Sequence, residues 1–285
     1  MNKYAVIGNP VHHSISPMIH AQFSKEFGLE ISYEKILSPI NGFQDTVKKF
    51  IDSNGQGFNI TLPFKIQAHN LSKTLTPNAK AAGAVNAIKI KDNTLIGENT
   101  DGNGLVNDFT NNLNQSLKGK EILIIGAGGA TQGILKPILD CNPEKILLAN
   151  RTKEKSLKLA SKFLKYGKVC GFGLDQIKAK PVDIVINATS ASIDGNIPNI
   201  PKGVVEGALC YDLMYGRETP FMKWANENSA RKVSDGLGML VEQAALSFSF
   251  WLGKNPQTKP VIELVRAKGC LLYTSTSPRD VEESR

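Results

Sequence analysis

A glycine-rich turn between an apolar segment and a helical segment most constrains the fold. The segment Glu121–Ile125 is almost purely apolar, as in a strand that is buried on both faces of a parallel sheet. It runs into Gly126–Thr131 (GAGGAT), and a helical pattern begins at about Thr131. Gly126 permits a tight turn and Gly128 lets a pyrophosphate approach the backbone, while the helix N-terminus offers free N–H groups. The turn therefore predicts a dinucleotide site in a doubly wound α/β domain.

The turn alone is a weak signal, because Thr131 stands where the third glycine of the dinucleotide pattern is expected. Its context supports dinucleotide binding over a purely structural glycine turn, since a strand precedes it and a helix and a second strand follow. The sequence contains no GxxxxGK[ST] pattern, which disfavours a nucleoside triphosphatase.

The end of the next predicted strand distinguishes the two nicotinamide dinucleotides. An Asp or Glu there usually accepts hydrogen bonds from the ribose 2′-hydroxyl of NAD. This chain carries Asn150, Arg151 and Thr152 at that point, with Lys155 one turn later. A guanidinium can hold a 2′-phosphate with two hydrogen bonds, whereas a carboxylate would repel it. The sequence therefore predicts NADP(H).

Composition places the chain among ordinary globular proteins. Its 285 residues allow two modest domains, and its hydrophobic content of 41% and charged content of 21% disfavour disorder. No apolar run reaches the roughly 18–20 residues that span a bilayer, and Lys3 enters a predicted strand without a charged-then-apolar leader. We therefore expect a cytoplasmic protein with no membrane partner.

The charged and metal-ligating residues disfavour two further classes. The net charge of +8 is compatible with nucleic-acid binding, but the lysines are scattered along amphipathic stretches such as Lys153–Lys168, with few aromatic residues between them. Solvated helix faces explain this pattern better. The four cysteines form no CxxC pair, and no HxxxH or HExxH spacing occurs. We expect reduced thiols, no metal and no nucleic-acid partner.

The first hundred residues alternate strand-like and helical patterns, which predicts a mainly parallel α/β sheet with one antiparallel hairpin. Ser16 is expected to cap the first helix, with Pro17 at its first position. The predicted elements are strands at Tyr4–Gly8, Ser32–Ile36 and Gly57–Ile60, helices at Pro17–Phe27, Gly42–Ser53 and Pro63–His69, and a hairpin of Ala87–Lys91 and Thr94–Gly97.

The second region predicts a Rossmann domain at about 105–236, in which Pro137 is expected to kink or end the first helix. Its strands are expected at Glu121–Ile125, Lys145–Ala149, Val182–Asn187 and Leu209–Leu213, and a further helix at Lys153–Lys165. Helices at Gly238–Leu252 and Pro260–Lys268 follow, and we expect them to pack back on the first domain. The predicted substrate domain is therefore 1–104 with 237–268, and the active-site cleft lies between the two domains.

The last residues break this pattern. Residues 269–285 are mostly polar, rich in Ser and Thr and without helical periodicity. They resemble translated read-through or a cloning scar, so we place them outside both domains. An authentic disordered tail is the alternative.

Polar residues of the first domain gather where loops meet strand ends. Ser14 and Ser16 follow the first strand, residues 59–65 (NITLPFK) follow the third, Asn86 precedes the hairpin and Asp101 follows it. Each has a local alternative, as a helix cap, a surface lysine or a turn residue. Together their hydroxyl, amide, ammonium and carboxylate groups would suit a small polyhydroxylated acid in one cleft.

Eight strings carry a resemblance to a known family. GNPVHHSISP, NITLPFK, GAVNAI, GENTDGNG, IGAGGATQG, NRT, INATS and DGLGML occur in the order and spacing of the shikimate dehydrogenases. The resemblance covers about residues 1–268. It implies an NADP-dependent oxidoreductase that reversibly reduces 3-dehydroshikimate to shikimate, in the synthesis of chorismate and the aromatic amino acids.

The resemblance assigns Lys65 and Asp101 as the catalytic pair beside the reacting oxygen. Hydride delivered to a ketone creates negative charge on its oxygen, which a lysine ammonium stabilises and can protonate. The reverse reaction needs a neutral lysine as the base. We expect Lys65 to be the main acid and base, with Asp101 orienting it and the substrate hydroxyl.

The resemblance also assigns the binding residues. Ser14 and Ser16 would bind the substrate carboxylate. The other substrate contacts would be Thr61, Asn86, Asp101, Tyr215 and Gln243. The cofactor contacts would be Gly126, Ala127, Gly128, Gly129, Ala130, Thr131, Asn150, Arg151, Thr152 and Lys155, with Thr189, Leu213, Gly236 and Met239 lining the nicotinamide half.

Some positions depart from the family pattern. Ala191-Ser192 stands where a Ser-Gly pair is common, Leu213 where methionine is frequent and Lys155 where arginine is common. These differences bear on cofactor packing and affinity and leave the reaction type unchanged.

Two alternative functions remain open at this point. A quinate/shikimate dehydrogenase that accepts NAD and quinate is the nearer one, and Asn150-Arg-Thr152 and Asn187-Ala-Thr189 favour the NADP enzyme over it. A non-catalytic dinucleotide sensor is the other, and it is disfavoured because Lys65 and Asp101 are both present. Both a monomer and a homodimer are compatible with the sequence.

Overall fold

The computed structural model describes residues 2–189, 191 and 195–275, with side chains as far as Lys268. Over these residues the chain forms two six-stranded sheets, one in each half. The two-domain α/β architecture predicted from the sequence is confirmed. Within the same ranges, every helix is too short or too polar to span a membrane.

The first sheet is mixed, with the strand order β2-β1-β3-β5-β6-β4. Its neighbours β1/β2, β1/β3 and β4/β6 are parallel, whereas β3/β5 and the β5/β6 hairpin are antiparallel. The strands are β1 (Asn2–Gly8), β2 (Ile31–Leu37), β3 (Gly55–Ile60), β4 (Thr74–Leu75), β5 (Ala87–Lys91) and β6 (Thr94–Glu98). Its helices are α1 (Ser16–Glu26), α2 (Phe43–Asp52), α3 (Lys65–Leu71) and α4 (Pro77–Ala82).

The second sheet is parallel throughout and has the doubly wound order β12-β11-β10-β7-β8-β9. Helix α5 (Asp101–Asn107) and a π-helical turn, Asp108–Asn112, lead into it. The strands are β7 (Glu121–Ile125), β8 (Lys145–Asn150), β9 (Val169–Gly173), β10 (Ile184–Asn187), β11 (Leu209–Asp212) and β12 (Lys232–Ser234). The connecting helices are α6 (Gly129–Asp140), α7 (Lys153–Phe163) and α8 (Pro220–Glu227).

Strand β7 has the two-sided burial that its composition predicts. Ile122 and Ile124 fill the core on one face of the sheet, whereas Leu123 and Ile125 fill the core on the other. All four side chains are fully buried. The strand is therefore central to the sheet, and its carboxyl end delivers the glycine turn to the sheet edge.

The C-terminal helices α9 (Leu237–Leu252) and α10 (Lys259–Ser275) return to the first domain as expected. Phe248 of α9 packs with Ile19 and Phe23 of α1 in one buried cluster. Trp251 donates from its indole nitrogen to the Ile88 carbonyl at 2.9 Å and stacks on Tyr4 at a centroid distance of 4.8 Å. Helix α9 thus fixes the wall of the first domain that faces the second.

One prediction about a helix start is wrong, and one alternative of a prediction about a helix end is excluded. Helix α1 begins at Ser16 with Ile15 in the cap position, and it has no side-chain cap because isoleucine carries no hydrogen-bond acceptor. The Ser16 hydroxyl instead lies 3.1 Å from the Ser14 hydroxyl. Pro137 was predicted to kink or end α6, and the second alternative is excluded because the helix continues to Asp140.

Several short elements were not predicted from the sequence: α4, β4, α5, the π-helical turn, β9, α8 and β12. Strand β9 contains Gly171, where a Cβ atom would lie 2.4 Å from the Ser156 carbonyl oxygen, so glycine is required by close helix packing. Helix α10 also continues to Ser275, where no helix was expected, and residues 261–277 contain no proline that would end it. Residues 276–285 lie outside the described part, and the assignment of 269–285 to a tail outside both domains stays a prediction.

Candidate active site

One cleft between the two sheets brings the predicted substrate residues together. It is lined from the first domain, from the loop after β11 and from α9. The predicted residues along it are Ser14, Ser16, Thr61, Lys65, Asn86, Asp101, Tyr215 and Gln243, together with Leu213, Gly236 and Met239 from the predicted nicotinamide side.

The shortest polar contact in this cleft joins Lys65 to Asp101. Lys65 is the first residue of α3 and Asp101 the first residue of α5, and Lys65 Nζ lies 2.6 Å from Asp101 Oδ2. The two side chains keep 28% and 14% of their surface exposed, so both reach the cleft. The other carboxylate oxygen, Oδ1, accepts a hydrogen bond from Asn86 Nδ2 at 2.8 Å. Asp101 is therefore held from both sides, and it holds the ammonium in turn.

The backbone of Thr100 fixes the orientation of the Asn86 side chain. Its N–H donates to Asn86 Oδ1 at 2.8 Å, which leaves the NH₂ group of Asn86 facing Asp101 Oδ1 and Gln243 Oε1 (3.2 Å). Asn86 is only 2% exposed. A buried amide held by several partners presents a rigid donor to the cleft.

A second layer of buried polar residues, to which no role was assigned from the sequence, supports this arrangement. Asn59 donates to the Asn86 carbonyl at 3.1 Å and to Ser247 Oγ at 2.9 Å, and it accepts from the Tyr33 hydroxyl at 2.8 Å. Thr100 Oγ1 lies 3.3 Å from Ser247 Oγ. The available signal was Asn59 itself, a polar residue between the buried apolar residues Phe58 and Ile60 of β3.

The loop after β1 carries the two serines predicted to bind a carboxylate. Ser14 Oγ accepts the Ser16 backbone N–H at 3.3 Å and lies 3.1 Å from Ser16 Oγ. Lys35 Nζ donates to the His12 carbonyl at 2.6 Å, which ties this loop to β2. His13 also lines the cleft, although no role was assigned to it. Two clustered hydroxyls can donate to one anionic group.

Tyr215 closes the cleft on the side of the second domain. Burial raises the pKa of Tyr215, so its phenol stays protonated and can donate a hydrogen bond. Gly236 faces the Leu213 carbonyl oxygen, where a Cβ atom would approach to 2.3 Å. The start of α9 therefore needs glycine to lie this close to the loop after β11.

The glycine turn has the conformation and the open space that a diphosphate requires. Gly126 has φ +106°, and a Cβ atom there would lie 3.0 Å from the Ala188 carbonyl oxygen. Cβ atoms built on Gly128 and Gly129 would meet nothing within 4 Å, so the N-terminus of α6 is open above them. The buried Thr131 hydroxyl donates to the Gly126 carbonyl at 2.7 Å. Threonine thus closes the turn from inside, which explains how the third glycine can be absent.

The end of β8 and the loop after it lie beside the glycine turn. Asn150 accepts from the Ala127 N–H at 3.1 Å and donates to the Thr152 carbonyl at 2.8 Å, so it links the glycine turn to the following loop. Arg151 and Lys155 are exposed. Neither side chain has a hydrogen-bonded or ionic partner among the residues described. Both cations are therefore available to an anion.

The cofactor-side residues form a second group that adjoins the cleft. Gly126–Thr131, 150–155 and Thr189 do not line the cleft itself. Helix α6 makes the connection, because a Cβ atom on Gly133 would lie 3.8 Å from Asp101 Oδ2. Thr189 Oγ1 donates to Asn187 Oδ1 at 2.7 Å. The positions Ala191 and Ser192 depart from the family pattern, and Ser192 lies outside the described residues.

Family models match both halves of the chain. A model described as the shikimate dehydrogenase substrate binding domain matches residues 6–88, one described as shikimate / quinate 5-dehydrogenase matches 108–197, and one described as the shikimate 5′-dehydrogenase C-terminal domain matches 236–266.

Individual proteins match nearly the whole chain. The NADP(+) shikimate dehydrogenase of Ruthia magnifica is 56% identical over 94% of this chain and 100% of its own length. Among solved structures, an Ael1 enzyme from Pseudomonas putida is 38% identical with a TM-score of 0.89, covering 93% of this chain and 98% of that one. The Thermus thermophilus shikimate 5-dehydrogenase, solved with NADP(H) and shikimate, is 31% identical with a TM-score of 0.84, covering 94% and 99%. The chain belongs to the shikimate dehydrogenase family.

Proposed function

We propose that this chain catalyses reversible hydride transfer between NADPH and the ketone of 3-dehydroshikimate, giving shikimate, within chorismate biosynthesis. The observation that carries the proposal is the Lys65–Asp101 contact of 2.6 Å at the wall of a polar cleft. An ammonium in this position can stabilise and protonate an alkoxide, which is the group that ketone reduction creates. A non-catalytic dinucleotide sensor would not need this pair.

The acid–base chemistry falls to Lys65. Asp101 holds the ammonium through Oδ2 while Asn86 occupies Oδ1, so the proton donor has a fixed position. In reduction Lys65 gives a proton to the ketone oxygen, and in oxidation the neutral amine accepts it from the hydroxyl. Asp101 orients Lys65 and accepts from a neighbouring substrate hydroxyl.

The remaining polar residues of the cleft would bind the substrate. The hydroxyls of Ser14 and Ser16 would donate to its carboxylate. Thr61, Asn86 and Gln243 would hold its carboxylate or hydroxyl edge, with Tyr215 beside them. Several neutral donors that converge on the substrate carboxylate favour a small hydroxylated acid over an apolar ligand.

NADP(H) supplies the hydride when it is bound. We propose that Gly126, Ala127, Gly128, Gly129, Ala130 and Thr131 hold its pyrophosphate on the open end of α6. Asn150, Arg151, Thr152 and Lys155 would hold the adenosine side, and the two exposed cations favour a 2′-phosphate over a bare hydroxyl. Thr189, Leu213, Gly236 and Met239 would border the nicotinamide.

The proposed domain boundaries follow the two ligands: 1–104 with 237–268 for the substrate and 105–236 for the cofactor. We further propose that the enzyme works in the cytoplasm on small molecules alone, as a monomer or a homodimer.

A four-way assay tests the function. Reduction of NADP⁺ and of NAD⁺ is followed with shikimate and with quinate. We expect clear turnover with shikimate and NADP⁺ and little with the other three pairs. Comparable rates with quinate or NAD⁺ would instead indicate a quinate/shikimate dehydrogenase. No reduction with any pair would contradict the enzymatic function.

A further inference from the structure

A short segment of the first domain, residues 82–86, contacts both members of the Lys65–Asp101 pair. The Val85 N–H donates to the Lys65 carbonyl at 2.9 Å. Asn86 Nδ2 donates to Asp101 Oδ1 at 2.8 Å. The position of segment 82–86 therefore helps to set the position of the pair.

Gln132 of the cofactor domain binds the start of segment 82–86 through a hydrogen bond. This residue directly follows the glycine turn, and its backbone N–H donates to the Gly128 carbonyl at 3.1 Å in the first turn of α6. Its side-chain Nε2 donates to the carbonyl of Ala82, the last residue of α4. One half-buried side chain thus joins the dinucleotide turn to the segment that positions the catalytic pair.

The chain conformation at Gly83 makes room for this contact. Gly83 ends α4 in the left-handed region, with φ +61°. A Cβ atom there would lie 3.0 Å from Gln132 Nε2 and 3.5 Å from Lys162 Nζ of α7. Partial burial, and then the charge of the neighbouring Lys165, lower the pKa of Lys162. Two polar side chains of the cofactor domain therefore meet the first domain at the same point.

We propose that Gln132 is a positioning residue that fixes the glycine turn relative to Lys65 and Asp101, so that bound cofactor and substrate meet in reacting geometry. The inference rests on the proposed function. Hydride transfer is sensitive to small displacements, and a misplacement of about 1 Å can cost about 100-fold in rate. Gln132 reaches neither Lys65 nor Asp101, so it acts through segment 82–86.

The test replaces the donor and keeps the size of the side chain. Gln132→Met has a similar length but cannot donate to the Ala82 carbonyl. The matched control is Lys136→Met, one turn later on α6, because the ion pair of Lys136 with Asp140 and its cation–π contact with Tyr166 both lie within its own domain. For each variant we would measure kcat, both KM values and the melting temperature with shikimate and NADP⁺ as substrates, and the isotope effect on kcat with shikimate deuterated at the carbon that gives up the hydride.

We expect Gln132→Met to lower kcat about tenfold or more, with the KM for shikimate within about twofold of the parent and an isotope effect at least as large. Lys136→Met should behave like the parent. An unchanged kcat in Gln132→Met would overturn the inference. A lower kcat with a smaller isotope effect would also overturn it, because hydride transfer would then not be the slowed step. A higher KM for shikimate with a matching loss of melting temperature would overturn it too, because the effect would then be general destabilisation. An inactive parent protein would overturn the proposed function as well, which separates the two failures.

Discussion

The buried hydroxyl of Thr131 donates to the carbonyl oxygen of Gly126 across the glycine turn at 2.7 Å. Thr131 is fully buried, and Gly126 has the positive φ that starts the turn. The bond therefore closes the loop from which the backbone N–H groups of the proposed pyrophosphate site arise.

Thr131→Val keeps the shape of this side chain and removes its donor. Because a buried carbonyl is then left without this partner, we expect a loss of roughly 1–3 kcal/mol in the free energy of unfolding and a higher KM for NADP⁺. Urea unfolding and steady-state kinetics measure the two effects. The control is Thr110→Val, which removes a similar bond, from Thr110 Oγ1 to the Val106 carbonyl, on an exposed helix surface. Equal losses in the two variants would contradict the role given to Thr131.

Arg151 is expected to select the cofactor. Its guanidinium is exposed on the loop after β8, and Arg151→Ala would remove a charge-assisted contact worth roughly 1.5–3 kcal/mol. We expect the KM for NADP⁺ to rise about 10- to 100-fold, while the KM for NAD⁺ changes little. Lys158→Ala, an exposed lysine of α7, is the control for a general loss of positive charge. A parallel rise for both cofactors would show that Arg151 does not read the 2′-phosphate.

His20 makes stability depend on pH. It is fully buried in an aromatic cluster and stacks on Tyr33 at 4.3 Å. Burial lowers the pKa of His20 from 6.5 to about 3, so the unfolded chain binds a proton that the folded protein does not. The contribution of neutral His20 to the free energy of unfolding is therefore complete above pH 6.5. It decreases as the pH falls towards 3, by up to about 1.4 kcal/mol per pH unit.

Urea unfolding at several pH values between 3 and 7 measures this dependence. His20→Phe keeps the stacking and removes the proton site, so we expect its stability to fall less steeply with acid than that of the parent. His12→Asn removes an exposed histidine and should leave the slope unchanged. Identical slopes for the parent and His20→Phe would contradict the assignment.

Local sequence signals identified the elements that carry their own pattern. The apolar run of β7, the glycine turn and the β5/β6 hairpin all appear where they were predicted. The hairpin is an example, since Asp92 and Asn93 have the positive φ values of 48° and 56° that such a two-residue turn requires.

The features that could not be predicted from the sequence depend on residues that are distant along the chain. Pro137 stays inside α6 and packs against Gly102 of α5. A Cβ atom added to Gly102 would lie only 2.5 Å from the ring of Pro137. Asn59 and Ser247 are 188 residues apart and meet only through the fold. The contact between Gln132 and Ala82 likewise joins two domains. Residue types and resemblance predicted which side chains line the cleft, but not the buried network that orients them.

Lys65→Ala is the most direct test of the proposed mechanism. Removing the ammonium removes the proton donor and the partner of Asp101 Oδ2, while the serine loop and Gln243 remain in place. The control is Lys80→Ala, an exposed lysine of α4. We expect Lys65→Ala to lower kcat with shikimate and NADP⁺ by about 100-fold or more, with a much smaller change in the KM for shikimate. Turnover near that of the parent, with only the KM raised, would contradict the assignment of Lys65 as the acid and base.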